Sequence, residues 1–486
     1  MSNRHRLSNA DAAWLHMDRP TNLMVINSVL LFDEQVDLNR LRRTVQRRLV
    51  DRYPRFRQCV VESRVPLLPP SWEDDPEFSL EHHVHHRALP APGDDEALRG
   101  LVGDLMATPL DRSKPLWSLY LAENYGGGCA VITRMHHCIA DGIALARVML
   151  SLTDTTRRAG IAGEAPPAEG DGKHDGGGLL RAAAAPLLGG VSLGRKTGRA
   201  LIGQGIDVAT HPRHAAELAG AVARDASTVM KLVLTPSDQA SAIKGDPGVS
   251  RRVAWTDSLS LKLVKRIAHD HDATVNDVLL AAVSGALRRY LQRHGGPVPE
   301  IQALVPFNLR PLDDPVPREL GNRFGLVFLP LPVGTSGSYR RLLAVHQRMN
   351  AIKDSREGPV SYGILGAVGM TPVAVEKRIV DMLSGKSTAV MTNVPGPRKT
   401  VYLAGTPVRT VLVWAPTSGH VGMSVSIFSY RGEVTVGLMV DAKLVPDPNT
   451  IAEQLERELE ALAEIPATAR KQVAARRPPR APRSVS

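Results

Sequence analysis

The sequence predicts a mixed α/β protein of two lobes joined by a long crossover. Apolar runs rich in β-branched and aromatic residues, at 23–32, 116–121 and 129–135, read as strands. Stretches of helical periodicity alternate with them. A Gly/Pro/Ala/charge-rich stretch from Thr156 to Gly178 then breaks the pattern, and order resumes at Arg252. At 486 residues, 43% of them hydrophobic, the chain exceeds what one compact core organises.

In chain order, Leu41–Arg57 places Leu41, Val45, Leu49 and Tyr53 at helical spacing with a cationic opposite face, an amphipathic helix. Glu81-His82-His83-Val84-His85-His86 reads as an exposed histidine-rich strand, with His82 and His86 on the face of Val84. No companion ligand set at metal spacing follows, so no metal is expected. Gly142–Leu152 is helical, with Ile143, Ala146, Val148 and Met149 apolar. The segment 179–233 alternates Ala/Leu/Gly pieces with basic residues, and mixed α/β patterning runs from Arg252 to about Ile465. The expected units are an N-terminal lobe over 1–155, the crossover over 156–235, a second lobe over 236–465 and a basic, disordered tail over 466–486.

Composition excludes several classes. Cys59, Cys129 and Cys138 have no CxxC spacing and make an odd count, which fits a reducing compartment and no disulfide framework. Met1–Arg6 is polar with no apolar stretch after it, so a signal peptide is not expected. No apolar run reaches about 18 residues, the length of a spanning helix. The net charge of +11 is concentrated in the tail and in 41–57, and only 4% of residues are aromatic. A stacking platform for nucleic acid is therefore not expected; phosphorylated ligands or an anionic lipid surface account for the charge. Gly190-Val-Ser192-Leu-Gly194 spells G-x-S-x-G but follows Pro186 and no strand, and Gly189–Thr197 misses the P-loop lysine.

The informative stretch is M-H-H-C-I-A-D-G, Met135–Gly142, at the junction of a buried strand and a helix. Neighbouring strand residues point oppositely, so one of His136 and His137 faces a given cleft and the other is structural. Asp141 can cap the helix or pair with an arginine to brace the loop.

H-H-C-I-A-D-G resembles the HHxxxDG signature of CoA-dependent acyltransferases and peptide-synthetase condensation domains. The remaining stretches narrow the resemblance to the bacterial wax ester synthase/acyl-CoA:diacylglycerol acyltransferase (WS/DGAT) family. They are L-S-N-A-D-A-A-W-L (7–15), T-P-L-D-R-S-K-P-L-W (108–117), A-T-V-N-D-V-L-L-A (273–281), V-P-F-N-L-R, L-G-N-R-F-G-L, T-N-V-P-G-P and V-D-A-K-L-V-P-D. The resemblance spans most of 7–465. One departure is Val25-Ile26 after Met24, where many relatives carry a histidine.

The resemblance implies two chloramphenicol-acetyltransferase-like lobes with an active-site tunnel between them. It implies acyl transfer from acyl-CoA, a co-substrate rather than a bound cofactor, to diacylglycerol or a long-chain alcohol. His137 is then the general base, His136 shapes the site and Asp141 holds the loop, with Arg310 as its candidate partner. Asn276 and Gly142 are candidates for hydrogen bonds to substrate or oxyanion. Pro115, Leu116 and Trp117 pack near the site, and Asp277 caps a helix beginning at Val278. Such substrates imply a cytoplasmic protein peripheral at membrane or lipid inclusions, and the crossover, with Arg181, Arg195, Lys196, Arg199 and Arg213, is either an interfacial segment or helices packing between lobes. Competing readings are a same-fold acyltransferase with another acceptor, and a non-catalytic lipid-droplet protein.

Overall fold

The structure, a computed structural model, describes residues 4–63, 68–158, 234–309, 317–353, 355 and 357–466. The basic tail, Arg310 and nearly all of the crossover, including its five named cations, lie outside those residues.

Two sheets organise the chain. The first holds β1 (Val25–Phe32), β2 (Val84–Ala88), β3 (Trp117–Tyr125), β4 (Gly128–His136) and β10 (Thr410–Trp414), in the order β10-β1-β4-β3-β2. The second holds β5 (Arg251–Trp255), β6 (Leu259–Ser260), β7 (Ile301–Asn308), β8 (Phe324–Leu331), β9 (Ala389–Pro395), β11 (Met423–Tyr430) and β12 (Glu433–Asp441). Its order is β6-β12-β11-β9-β7-β8, with β5 also paired to β12.

The predicted strands fall within a few residues of β1, β3 and β4. Every residue of β4 is buried, because the sheet is covered on both faces, and its sequence is accordingly apolar without clean alternation. Leu41, Val45, Leu49 and Tyr53 are all buried as the amphipathic pattern requires; the helix α2 (Leu38–Val45) runs on into a π-helical turn at 46–50. The histidine-rich stretch departs from expectation. His82 ends a single 3-10 turn, and His83 is buried, stacked on Trp117 at 4.6 Å with its Nδ1 2.8 Å from the Trp117 carbonyl. That sandwich against an aromatic core removes His83 from the alternating pattern, and the strand starts only at Val84.

Helices α1 (Asn9–His16), α3 (Asp95–Ala107) and α4 (Gly142–Ser151) belong to the first lobe. In the second, α5 (Leu261–Asp270), α6 (Val275–Arg293), α7 (Ser338–Lys353) and α10 (Pro448–Ala463) bury an apolar cluster against β7, β8, β9, β11 and β12. Helices α8 (Glu357–Val368) and α9 (Val373–Ser384) lie against α1.

The lobes interlock. β10, late in the chain, pairs antiparallel with β1, Thr410 opposite Leu31 and Trp414 opposite Asn27. Tyr402-Leu403 pairs with Thr153-Asp154. A third apolar cluster joins Val29, Leu31 and α3 to Trp255, Trp414 and Met439. Gly103 in α3 permits this, since a Cβ there would lie 2.7 Å from the Arg251 carbonyl oxygen. The first sheet thus contains residues from both sides of the crossover, so the boundary at 155 divides the chain but not the sheets.

Candidate active site

The site forms where β4 ends. His136 is its last residue and donates its N–H to the Leu116 carbonyl (2.9 Å); the His137 N–H reaches the Met24 carbonyl at 2.7 Å. Pro115-Leu116-Trp117 therefore holds the strand end, with Trp117 Nε1 donating to the Phe56 carbonyl at 2.8 Å. Asp141 is the N-cap of α4: its Oδ1 accepts from the Ala144 N–H (2.8 Å) and its Oδ2 from the Arg323 N–H (3.1 Å). The carboxylate thus braces the loop against the start of β8, in the other lobe.

The two imidazoles face different partners. His136 Nδ1 accepts from the Cys138 N–H at 3.1 Å, so its neutral form carries the proton on Nε2, which points at Asp18 Oδ1, 3.9 Å away. Burial works to raise the Asp18 pKa, but His136, the Met24 amide and Arg112 outweigh it and hold the carboxyl below its ordinary value. His136, buried, thus faces the half-buried Asp18 carboxylate at ion-pair distance, without a hydrogen bond between them.

His137 lies between Trp14, stacked on it at 4.3 Å, and Phe324 at 5.3 Å. Its Nδ1 is 2.9 Å from Asn322 Oδ1. Asn322 Nδ2 donates to Asp11 Oδ1 (2.7 Å) and to the His137 carbonyl (2.8 Å), both of which can only accept. The amide oxygen is thereby committed to His137, and Nδ1 must carry the hydrogen. Nε2 presents its lone pair, and among the described residues no hydrogen bond ends on it. Asp11 is held in turn by Arg55 (3.2 Å), whose guanidinium also donates to the Cys138 and Ile139 carbonyls at 3.2 and 2.6 Å. Burial drives the His137 pKa down to about 4, helped by His136 and opposed by the Asn322 hydrogen bond, so the ring is uncharged at neutral pH. An uncharged, buried imidazole with one tautomer enforced is a proton acceptor of fixed direction.

The profile of the wax ester synthase/diacylglycerol acyltransferase catalytic domain matches residues 7–279, and that of the WS/DGAT C-terminal domain matches 320–463. The chain belongs to the WS/DGAT family. A Mycobacterium tuberculosis protein, MT1809, named for diacylglycerol O-acyltransferase activity, is 28% identical over 480 residues, covering 94% of this chain and 90% of that one. The solved wax ester synthase/diacylglycerol acyltransferase of Marinobacter aquaeolei VT8 superposes with a TM-score of 0.65 at 22% identity, over 95% of this chain and 100% of that one. The trichothecene 15-O-acetyltransferase of Fusarium sporotrichioides superposes with a TM-score of 0.58 at 13% identity, over 94% and 95%. The fold is thus the two-lobe acyltransferase fold expected, and the chain is an acyltransferase.

In this WS/DGAT chain the structure gathers His137, His136, Asp141, Leu116 and Trp117 at one junction, while Asn276 and Asp277 lie in the first turn of α6, in the second lobe. Asn276 Oδ1 accepts from Asn393 Nδ2 at 3.0 Å, which leaves the Asn276 amide hydrogens directed elsewhere. Asp277 does not cap a helix starting at Val278. The helix α6 starts at Val275 with Thr274 as N-cap, and Asp277 is the third residue of a reciprocal capping box, its Oδ2 also 2.8 Å from His346 Nδ1. Gly142 opens α4 with free space beyond its Cα. Asn322, Asp11, Trp14 and Arg55 carry no local sequence signal of a shared site. Three of them lie within stretches that carry the family resemblance, and only the fold brings them to His137.

Proposed function

We propose that this protein moves a long-chain fatty acyl group from acyl-CoA to the hydroxyl of diacylglycerol, with long-chain alcohols as further acceptors, and that His137 is the general base. The acceptor hydroxyl loses its proton to His137 Nε2 as its oxygen bonds to the thioester carbon. The tetrahedral oxyanion then collapses, the C–S bond breaks, and the proton passes from Nε2 to the CoA sulfur. No acyl-enzyme is needed, so both substrates are bound together, in a tunnel between the lobes. The observation that supports this reading is the Asn322–His137 pairing, which leaves Nε2 as the available base. Asn276, through its free amide hydrogens, and the Gly142 amide at the positive end of α4 are the candidate donors to the oxyanion. The family's name and that of the tuberculosis relative support diacylglycerol as acceptor. The protein acts on lipids from the cytoplasmic side as a peripheral protein; among the described residues no helix is long and apolar enough to cross a membrane.

The test is thiol release from palmitoyl-CoA with diacylglycerol, hexadecanol or no acceptor, with lipid products identified. Acceptor-dependent release that falls by roughly 10²–10⁴-fold in folded His137→Ala supports the proposal. Full activity in that variant would refute the base assignment.

A further inference from the structure

α9 turns an acid inward and apolar side chains outward. Glu376, fully buried, meets His16 Nδ1 of α1 at 3.1 Å, and Val380 is buried beside it. Val375, Ile379 and Met382 recur at helical spacing on the outward side, where a surface helix ordinarily carries polar residues. Met370 and Val373, at the turn from α8, extend that apolar surface. Met370, Val373, Val375 and Met382 are each 40–45% exposed, and no residue from Gly358 to Val375 is charged. Val61, also exposed, adds to the same face, since its neighbour Glu62 shares a cavity of about 300 Å³ with Val373 and Lys377.

The outward charge of α9 is of one sign. His16 takes up Glu376, and Arg19 grips Asp381 at 2.7 and 3.2 Å, so both acids of the helix are engaged. Lys377 and Arg378 are exposed, and among the described residues no carboxylate pairs with either. The corner also rests on the helix that builds the active site. Gly369 follows α8 so close to α1 that a Cβ there would collide with the Asn9 carbonyl. α1 carries Asp11 and Trp14, the ring stacked on His137, and the Tyr362 hydroxyl of α8 donates to the Asn322 carbonyl at 3.3 Å. A lipid surface against this corner presents hydroxyl-bearing lipids next to the helix that holds the base, which a protein partner does not. A second copy docked about a two-fold axis would set Lys377 and Arg378 against their own mates.

We propose that the α8–α9 corner is the face by which this protein lies on a lipid surface bearing anionic headgroups. Met370, Val373, Val375 and Met382 enter the boundary between headgroups and acyl chains, and Lys377 and Arg378 meet the lipid phosphates. The choice of lipid as occupant rests on the reading of lipid hydroxyls as acceptors.

The experiment measures partition of the full chain onto vesicles of phosphatidylcholine, with and without phosphatidylglycerol, by flotation. Wild type is compared with Val375→Asp/Met382→Asp and with Lys377→Ala/Arg378→Ala. All four positions are exposed; circular dichroism checks folding and sedimentation checks the oligomeric state. The apolar double variant should lose partition on both vesicle types by about tenfold or more. The charge double variant should lose about fivefold per cation at low salt, on the phosphatidylglycerol vesicles only. Acyl transfer to diacylglycerol held in vesicles falls with partition, while transfer to hexanol dissolved in water keeps its kcat and KM. Unchanged partition in the folded Val375→Asp/Met382→Asp variant overturns the proposal, as does a wild type that stays off both vesicle types. A wild-type dimer that this variant breaks, with vesicle partition kept, assigns the corner to a second copy and overturns it too. Partition needs no turnover: a wild type that docks through these residues but transfers no acyl chain would sink the functional reading and keep the docking face.

Discussion

Between pH 6.5 and 4 the side chain of His137 takes up a proton in the unfolded chain but stays neutral in the folded one, because burial places its pKa near 4. The unfolded state therefore binds more protons across this window, so the stability that the neutral ring contributes is present above about pH 6.5 and is lost as pH falls towards 4, by on the order of 3 kcal/mol. Urea unfolding at pH 7.5 and 4.5 should show a larger loss for wild type than for His137→Gln; equal losses would mean that the ring is not held neutral. Asn322→Ala tests the tautomer: kcat should fall by at least about tenfold, less than the roughly 10²–10⁴-fold attached to the base itself, with KM held. A change in KM alone would assign Asn322 to substrate binding. At this scale the sequence was half legible. His137 and Asp141 sit in one short string, whereas Asp11 and Asn322 are 311 positions apart and meet only through a buried hydrogen bond.

The elements were read from pattern where pattern is local. β1, β3, β4 and α4 follow from β-branched runs and helical spacing, since each buries a face that its own residues supply. The start of α6 was misplaced by three residues. Thr274-Val-Asn-Asp277 is a capping box with Asp in place of the usual Glu or Gln, and β-branched Thr274 and Val275 disguise a helix entrance. Thr274→Ala removes the oxygen that accepts the Asp277 N–H, and thermal unfolding should show a loss of about 1 kcal/mol. Because the same turn carries Asn276, acyl transfer should fall together with stability. An unchanged midpoint would show that the box contributes nothing. His83 escaped the strand pattern for the opposite reason: a distant aromatic, Trp117, claims its ring, and alternation along its own segment cannot report that.

The lobes do not behave as separable bodies. Arg19 makes a two-pronged contact with Asp381, at 2.7 and 3.2 Å, and His16 Nδ1 meets the fully buried Glu376 at 3.1 Å, so α1 is tied to α9 as well as sheet to sheet. Scanning calorimetry of the full chain should give one cooperative transition; two separated transitions would contradict the interlocking. None of this was legible beforehand. Thr410-Val-Leu-Val-Trp414 reads as a strand, but nothing local names the sheet it joins, and pairing across hundreds of residues depends on the assembled surface of β1. That distance bears on how the protein is made. About 380 residues separate the end of β1 from its partner, so at roughly 5–20 residues per second the ribosome takes on the order of 20–75 s to deliver it. Throughout that interval the nascent first lobe shows a bare apolar strand edge to its surroundings. Slower growth temperatures and chaperone supply, rather than any change at His137, should govern how much of this enzyme a cell recovers in soluble form.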